Sequence, residues 1–172
     1  MQKYIFYVGH IDLVNVVNEE LDKNYSLKIW KPKIYKIAPK GLFSVPFFAY
    51  WICHYLKLFS NSFYSIYLIY YKNEIAHYSV ILPKFFKTPF MESNDLQIGP
   101  IGTKKEHRRK GLANYAIQEI IESYKDQNQK FWYLTRKENV ISGKVIEKFG
   151  FRAYGEGNRK GKLGIFNIEK KY

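Results

Sequence analysis

The stretch that most limits the fold runs from Leu96 to Tyr124, LQIGPIGTKKEHRRKGLANYAIQEIIESY. It opens as a strand. Gly99, Pro100 and Gly102 inside that strand predict a bulge or a close backbone approach. It ends as a helix, with Leu112, Ala116, Ile120 and Tyr124 in one apolar row and Ala113, Ile117 and Ile121 in another. Between them Arg108, Arg109 and Lys110 run straight into Gly111. Cations are unfavourable at a helix N-terminus, where unpaired N–H groups already carry partial positive charge. Strand, glycine-bearing basic loop and helix together make an anion cradle, with backbone donors aimed outward. Gly111 lets the backbone approach a ligand, Ala113 leaves space beside the first turn, and the arginines supply bidentate donors. A pyrophosphate suits such a loop.

Two common phosphate motifs do not fit. The P-loop requires Lys after its last glycine, and Gly111 is followed by Leu112. The dinucleotide fingerprint requires G-x-G-x-x-G between strand and helix, and "GEGNRKG" at Gly155 has the wrong spacing with no helix after it.

Around this stretch the pattern is mixed. "KYIFYVGHIDL" reads as a strand, and Leu13, Val16, Val17 and Leu21 have helical spacing. The prolines flanking "LKIWKPKIYKIAPKG" suit extended structure. Phe47, Trp51, Tyr55 and Phe59 fall four apart, so Pro46 is expected in the first turn of a helix. "SFYSIYLIYY", the turn "KNE" and "IAHYSVIL" read as an antiparallel hairpin. After the central helix come the strand "KFWYLT", a helix from Val140 to Lys148 marked by Ile141, Val145 and Phe149, and the final strands "GFRAYGE" and "KLGIFNIEKKY". The order predicts one α/β domain: a mixed, mostly antiparallel sheet with helices on both faces.

Composition sets the outer bounds. The 172 residues suit a single domain, and 47% apolar content supports a real core. The net charge of +13 has a bland reading, solubility in a lysine-rich chain, and a sharper one, an anionic partner. The single cysteine, Cys53, excludes an intrachain disulfide and a cysteine-rich zinc site, and an inert buried thiol is expected there. Leu42 to Tyr71 is apolar, but Pro46, His54, Lys57 and Asn61 interrupt it, so no membrane span is expected. The opening residues lack a signal peptide's features, which makes a cytoplasmic protein the expectation.

A second block sharpens the reading. Arg108, Gly111 and Ala113 match R-x-x-G-x-[GA]. Beyond the next strand, Asn139 and Ser142 match N-x-x-[AS] at the head of a helix that ends in Gly150-Phe151. In this order and spacing the two blocks resemble the GNAT superfamily of N-acetyltransferases. The resemblance implies a GNAT-like single domain over residues 1–172. Residues 1–95 would form the acceptor-side half, 96–156 the acetyl-CoA-binding core and 157–172 a C-terminal strand. It implies acetyl-CoA as cosubstrate, a small-molecule primary amine as acceptor, direct attack and no metal. The pantetheine arm would lie along Ile101 to Thr103 and against Asn139 and Ser142. The pyrophosphate would sit on Arg108, Arg109, Lys110, Gly111, Leu112 and Ala113. Asn139 has a purely structural explanation as well, a helix N-cap. A monomer or homodimer is expected, with no nucleic-acid partner.

Two departures from the family pattern stand out. Ile146 replaces the tyrosine that many members place seven residues beyond the Asn to protonate the leaving thiolate. Gln97 stands where some members carry a glutamate base. Neither can transfer the proton. Asp95, on the same side of the strand as Gln97, and His77 are the candidate bases, each with a plain structural alternative. Tyr133 and Tyr154 are candidate acids, and His107 flanks the loop.

The acceptor half is rich in rings, among them Phe47, Tyr50, Trp51, Phe63, Tyr64 and Tyr67, and in lysines, Lys31, Lys33, Lys36 and Lys40. Almost no carboxylate falls between Asp22 and Glu74. That pattern favours an anionic acceptor, such as a nucleotide-linked amino sugar, over a polyamine. The chain also looks similar to acetyltransferases encoded with bacterial surface-polysaccharide enzymes. Two rival readings remain: a nucleic-acid-binding module, weakly prompted by "KGLFSVPF" and 19% aromatics, and an inactive CoA-binding GNAT-like domain.

Overall fold

The computed structural model describes residues 2–10, 19–42, 44–127 and 129–172. The expected helix at Leu13, Val16 and Val17 lies outside them. Eleven elements follow in chain order: β1 (Lys3–His10), β2 (Tyr25–Trp30), α1 (Val45–Tyr55), β3 (Ser65–Tyr71), β4 (Glu74–Pro83), β5 (Leu96–Thr103), α2 (Leu112–Ser123), β6 (Lys130–Arg136), α3 (Val140–Glu147), β7 (Arg152–Lys160) and β8 (Ile165–Lys171).

The strands form one sheet in the order β2-β3-β4-β5-β6-β1-β7-β8. The pair β5/β6 is parallel and the others are antiparallel. Side-chain alternation along each strand supplies two buried faces. Tyr67, Ile81, Ile98, Tyr133 and Tyr7 face α2 and α3, and pack with Ile117, Ile120, Ile121 and Ile146. Ile66, Leu68, Val80 and Leu82 face α1, and pack with Phe47 and Cys53. Helices therefore cover both faces.

Both apolar rows of α2 are inward: Leu112, Ala116, Ile117, Ile120 and Ile121 are buried. In α1 the buried row is Phe47 and Cys53 with Tyr50 half-buried, a spacing of three, while Trp51 stacks on Phe48 at 6.4 Å and Tyr55 is exposed. Of the four residues expected in one row, Phe47 and Phe59 are buried and Trp51 is half-buried. In α3 the core position is Ile146, and Ile141 is exposed.

The first strand has an unexpected place. β1 lies between β6 and β7, with Tyr4 opposite Arg136 on one side and Gly157 on the other. Its pairing is entirely long-range, so hydrophobic pattern alone left its position open. It pairs with the strands that carry residues 130–160 and not with β2 to β5. "KGLFSVPF" also resolves: Val45, Pro46 and Phe47 open a helix, which removes the nucleic-acid-binding strand this segment would have needed.

Candidate functional site

The site begins with a failure of pairing. β5 and β6 are joined only at Leu96–Phe131, Gln97–Trp132 and Ile98–Tyr133. Beyond that, β5 stays with β4 and β6 stays with β1. Gly99 and Pro100 lie in the β5 stretch between partners Ile81–Ile98 and Ser79–Ile101, where the register shifts. Gly99 has φ +125°, which other residues rarely adopt. This is the bulge the sequence predicts, and it turns β5 away from β6.

The splayed strands enclose a cleft of about 840 Å³. Each wall presents one strand edge whose N–H and C=O groups have no strand partner across the gap. Such edges suit an extended, amide-bearing chain. Six residues of the sequence-derived binding set line the cleft: Ile101, Thr103, Arg108, Ala113, Asn139 and Ser142. Asn139 caps α3, accepting from Ser142 N at 3.3 Å and donating to Ser142 Oγ at 2.9 Å.

The basic cluster divides. Arg108 donates from Nε to Thr103 O at 3.3 Å and faces the cleft. Lys110 instead reaches the Tyr25 hydroxyl at 3.3 Å. Arg109 has φ +60° and Gly111 φ +72°, so this turn needs left-handed backbone at two positions. Gly111 is thus required for its own conformation, not only for ligand approach. Arg109, Lys110, Gly111 and Leu112 do not line the cleft, and Leu112 is in the core. Nor is the start of α2 devoid of negative charge. Glu19 accepts from Asn114 Nδ2 at 2.8 Å, and its Oε2 would lie 3.3 Å from a Cβ at Gly111. His107 is buried, bonded through Nδ1 to the Tyr25 hydroxyl at 2.9 Å, and anchors the loop.

The candidate bases lie elsewhere. Asp95 is buried and accepts from Trp132 Nε1 at 2.7 Å and Glu92 N at 2.9 Å, which fixes it as a structural acceptor. His77 is fully buried, with Nδ1 2.7 Å from Thr103 Oγ1 and Nε2 2.8 Å from Ser79 Oγ. Burial lowers its pKa to about 4, so it is neutral at pH 7 and ties β4 to β5. Neither lines the cleft. Tyr154 packs against Trp132 at 5.1 Å, away from it. Tyr133 does line it; burial raises its pKa, a hydrogen bond with Ser142 opposes that shift, and the phenol stays protonated.

A second cavity of about 430 Å³ lies between α1 and the sheet. It shares Tyr4, Gly99, Pro100, Leu134 and Arg159 with the first, so the two meet where the strands part. Gln97 lines this second cavity. Sequence reasoning missed Tyr4, Arg136 and Arg159. The position of β1 hid Tyr4, and Arg159 lies in a segment read only for a fingerprint it lacks. The lysines Lys31, Lys33, Lys36 and Lys40 line neither cavity, and of the rings expected at the acceptor only Tyr50 does. Phe47, Tyr64 and Tyr67 are core.

Among the described residues no group of three or more His, Cys, Asp or Glu is placed to hold a metal ion, and no helix is long and apolar enough to cross a membrane. The model of the acetyltransferase (GNAT) family matches residues 28–151, most of the sheet and both strands of the cleft. The chain belongs to the GNAT family. Solved GNAT structures share the fold. A tandem GNAT protein from the clavulanic acid biosynthesis pathway superposes with TM-score 0.64 at 13% identity, over 90% of this chain and 51% of that one. A GCN5-related N-acetyltransferase-like protein from Streptococcus suis gives 0.59 at 13%, over 89% and 59%. The chain also matches a GNAT family acetyltransferase from Elizabethkingia anophelis, solved with acetyl-CoA bound, at 21% identity over 76% of this chain and 78% of that one, with a TM-score of 0.49 that is too low to count toward the fold. The chain spans about half to three-fifths of the length of several of the solved structures it matches. No curated protein matches its sequence.

Proposed function

We propose that this GNAT domain moves an acetyl group from acetyl-CoA to the primary amine of an anionic small molecule, an amino sugar in free-anionic or nucleotide-linked form. The meeting of the two cavities at Gly99 and Pro100 carries this reading, because it offers separate approaches to one point. The splayed edges of β5 and β6 suit the amides of a pantetheine arm. Arg108 and Arg136 give its charged end two guanidinium groups, with no carboxylate among the described residues that line the cleft. Membership of the family supports the donor.

This chain's residues contribute position more than proton transfer. Among the described residues no carboxylate or imidazole lines either cavity. Amine deprotonation therefore falls to solvent, and a CoA thiolate is stable enough to leave without a dedicated acid. Tyr133 and Tyr4 are the phenols within the cleft. The same absence favours a second reading, a domain that binds CoA without transfer.

The test has two stages. Acetyl-CoA should raise the melting temperature, and thiol release should then appear with amino sugars above polyamines, aminoglycosides and lysine peptides. Stabilisation without turnover of any amine would support the binding domain. Turnover of a polyamine or peptide above every amino sugar would reject the acceptor.

A further inference from the structure

The smaller cavity carries charge of one sign. Arg159 reaches it from β7 and Lys87 from the loop after β4, and among the described residues no carboxylate lines it. Among the described residues neither cation forms an ion pair. We propose that Arg159 and Lys87 form an oxyanion subsite that selects as acceptor a small primary amine bearing a carboxylate or a phosphate. This rests on the acetyltransferase reading and adds to it the residues that recognise the acceptor.

Local structure holds both groups in place. The Arg159 guanidinium lies 4.4 Å from the Phe166 ring centre and 5.0 Å from that of Tyr4. The two rings stand at 89° to each other, so cation–π contact with both confines the guanidinium at their corner. Phe166 is the cross-strand partner of Arg159, so the β7–β8 pairing sets this geometry. Phe166 N also donates to Lys87 O at 2.9 Å, which fastens the Lys87 loop to the same strand. One edge residue therefore packs against the Arg159 guanidinium and ties down the Lys87 backbone. The Arg159 charge is felt across the cavity at Tyr50, where it opposes the upward shift that burial imposes on the phenol.

The arrangement also bears on the reaction. Arg159 lines both cavities, beside the point where they meet. An acceptor anchored there by its oxyanion presents its amine near the splay. The free-base amine forms the C–N bond as the C–S bond breaks, and the proton lost from nitrogen passes to the departing thiolate. Neighbouring cations disfavour an ammonium and so favour that free base without a carboxylate base. A polycationic acceptor meets repulsion instead.

The experiment compares matched acceptors with the whole chain. Amino acids against their amides form the carboxylate arm, and amino-sugar phosphates against the unphosphorylated sugars form the phosphate arm. Thiol release gives kcat/KM, calorimetry in the presence of CoA gives acceptor affinity, and melting with acetyl-CoA is read separately. One arm should favour its anion by roughly 10- to 100-fold, the range of a charged hydrogen-bonded contact. Arg159→Gln and Lys87→Gln should each cut that preference about tenfold, with Arg159→Lys recovering part of the loss. Equal use of anionic and neutral partners in both arms overturns the proposal, as does a preference untouched by either substitution. If no amine is acetylated, calorimetry still decides: anion-selective binding lost in Arg159→Gln upholds the subsite, and no such binding overturns it. Loss of the acetyl-CoA effect on melting in the native chain would instead count against the donor reading.

Discussion

Gly157→Ala should separate the acceptor side of this protein from its donor side. A Cβ built at Gly157 lies 1.9 Å from Asn167 O and 2.9 Å from Asn167 C, both backbone atoms of β8. A normal contact requires β8 to withdraw by roughly 1 Å, which takes neighbouring N–H···O bonds beyond useful length. Two or three lost ladder bonds cost about 1 kcal/mol each. Partial exposure of Phe166, now 7% exposed, adds about 1 kcal/mol. Reduced freedom of the unfolded chain offsets up to about 1 kcal/mol. The net loss of about 2–4 kcal/mol lowers the melting temperature by roughly 4–16 °C for a chain of this size. Arg159 and Lys87 both depend on Phe166, while the cleft is otherwise built from β1, β5, β6, α2 and α3. Stabilisation by acetyl-CoA should persist and acceptor turnover should collapse. A variant that melts within about 1 °C of the native chain and keeps its turnover would refute the reasoning.

Other perturbations reach different parts of the site. Arg108→Ala should weaken acetyl-CoA binding about 10- to 100-fold and flatten its salt dependence, and an unchanged Kd would remove Arg108 from the anion contacts. Tyr133→Phe should lower kcat less than about tenfold, because no single phenol is essential; a loss of several hundredfold would identify it as the acid. His77 takes a proton near pH 6.5 when unfolded and only near about 4 when folded, so it leaves stability unchanged above that window. As pH falls through the window the unfolded state gains the proton first and stability drops, by up to about 3 kcal/mol. His77→Gln should flatten that slope in chemical denaturation, and parallel curves for the two proteins would reject the assignment.

What the sequence made legible was local. The strand, basic loop and helix from Leu96 to Tyr124 announce themselves through residues within a few positions of one another. Asn139 and Ser142 do the same through a cap that spans three residues. The hairpin of β3 and β4 follows from a turn between two β-rich runs. Less legible was anything decided by which surface a residue meets. Lys110 looks like its neighbour Arg108 in the chain, yet Tyr25 holds it on another side. Trp51 and Tyr50 are adjacent rings, and only helix orientation tells which faces the sheet. Asp95 and His77 had the right chemistry for a base, and their partners Trp132 and Thr103 gave them structural work instead. Arg159 carried no motif, because its role depends on Phe166 across a strand pair and on Tyr4 far away in sequence.

The place of β1 in the sheet has a consequence for biosynthesis. Its first residues leave the ribosome with nothing to pair with, since His10 meets Lys130 and Lys3 meets Asn158. At about 5–20 residues per second, the partner for His10 arrives roughly 6–24 s later. During that interval β2, β3, β4 and β5 can zip together in order as neighbours, while β1 carries Phe6 and Tyr7, both buried in the finished fold, as uncovered apolar surface. Until residues 130–160 follow, Phe6 and Tyr7 lack the neighbouring strands β6 and β7. Closing this half of the sheet requires β1 to pair with strands far along the chain, a costly loop closure.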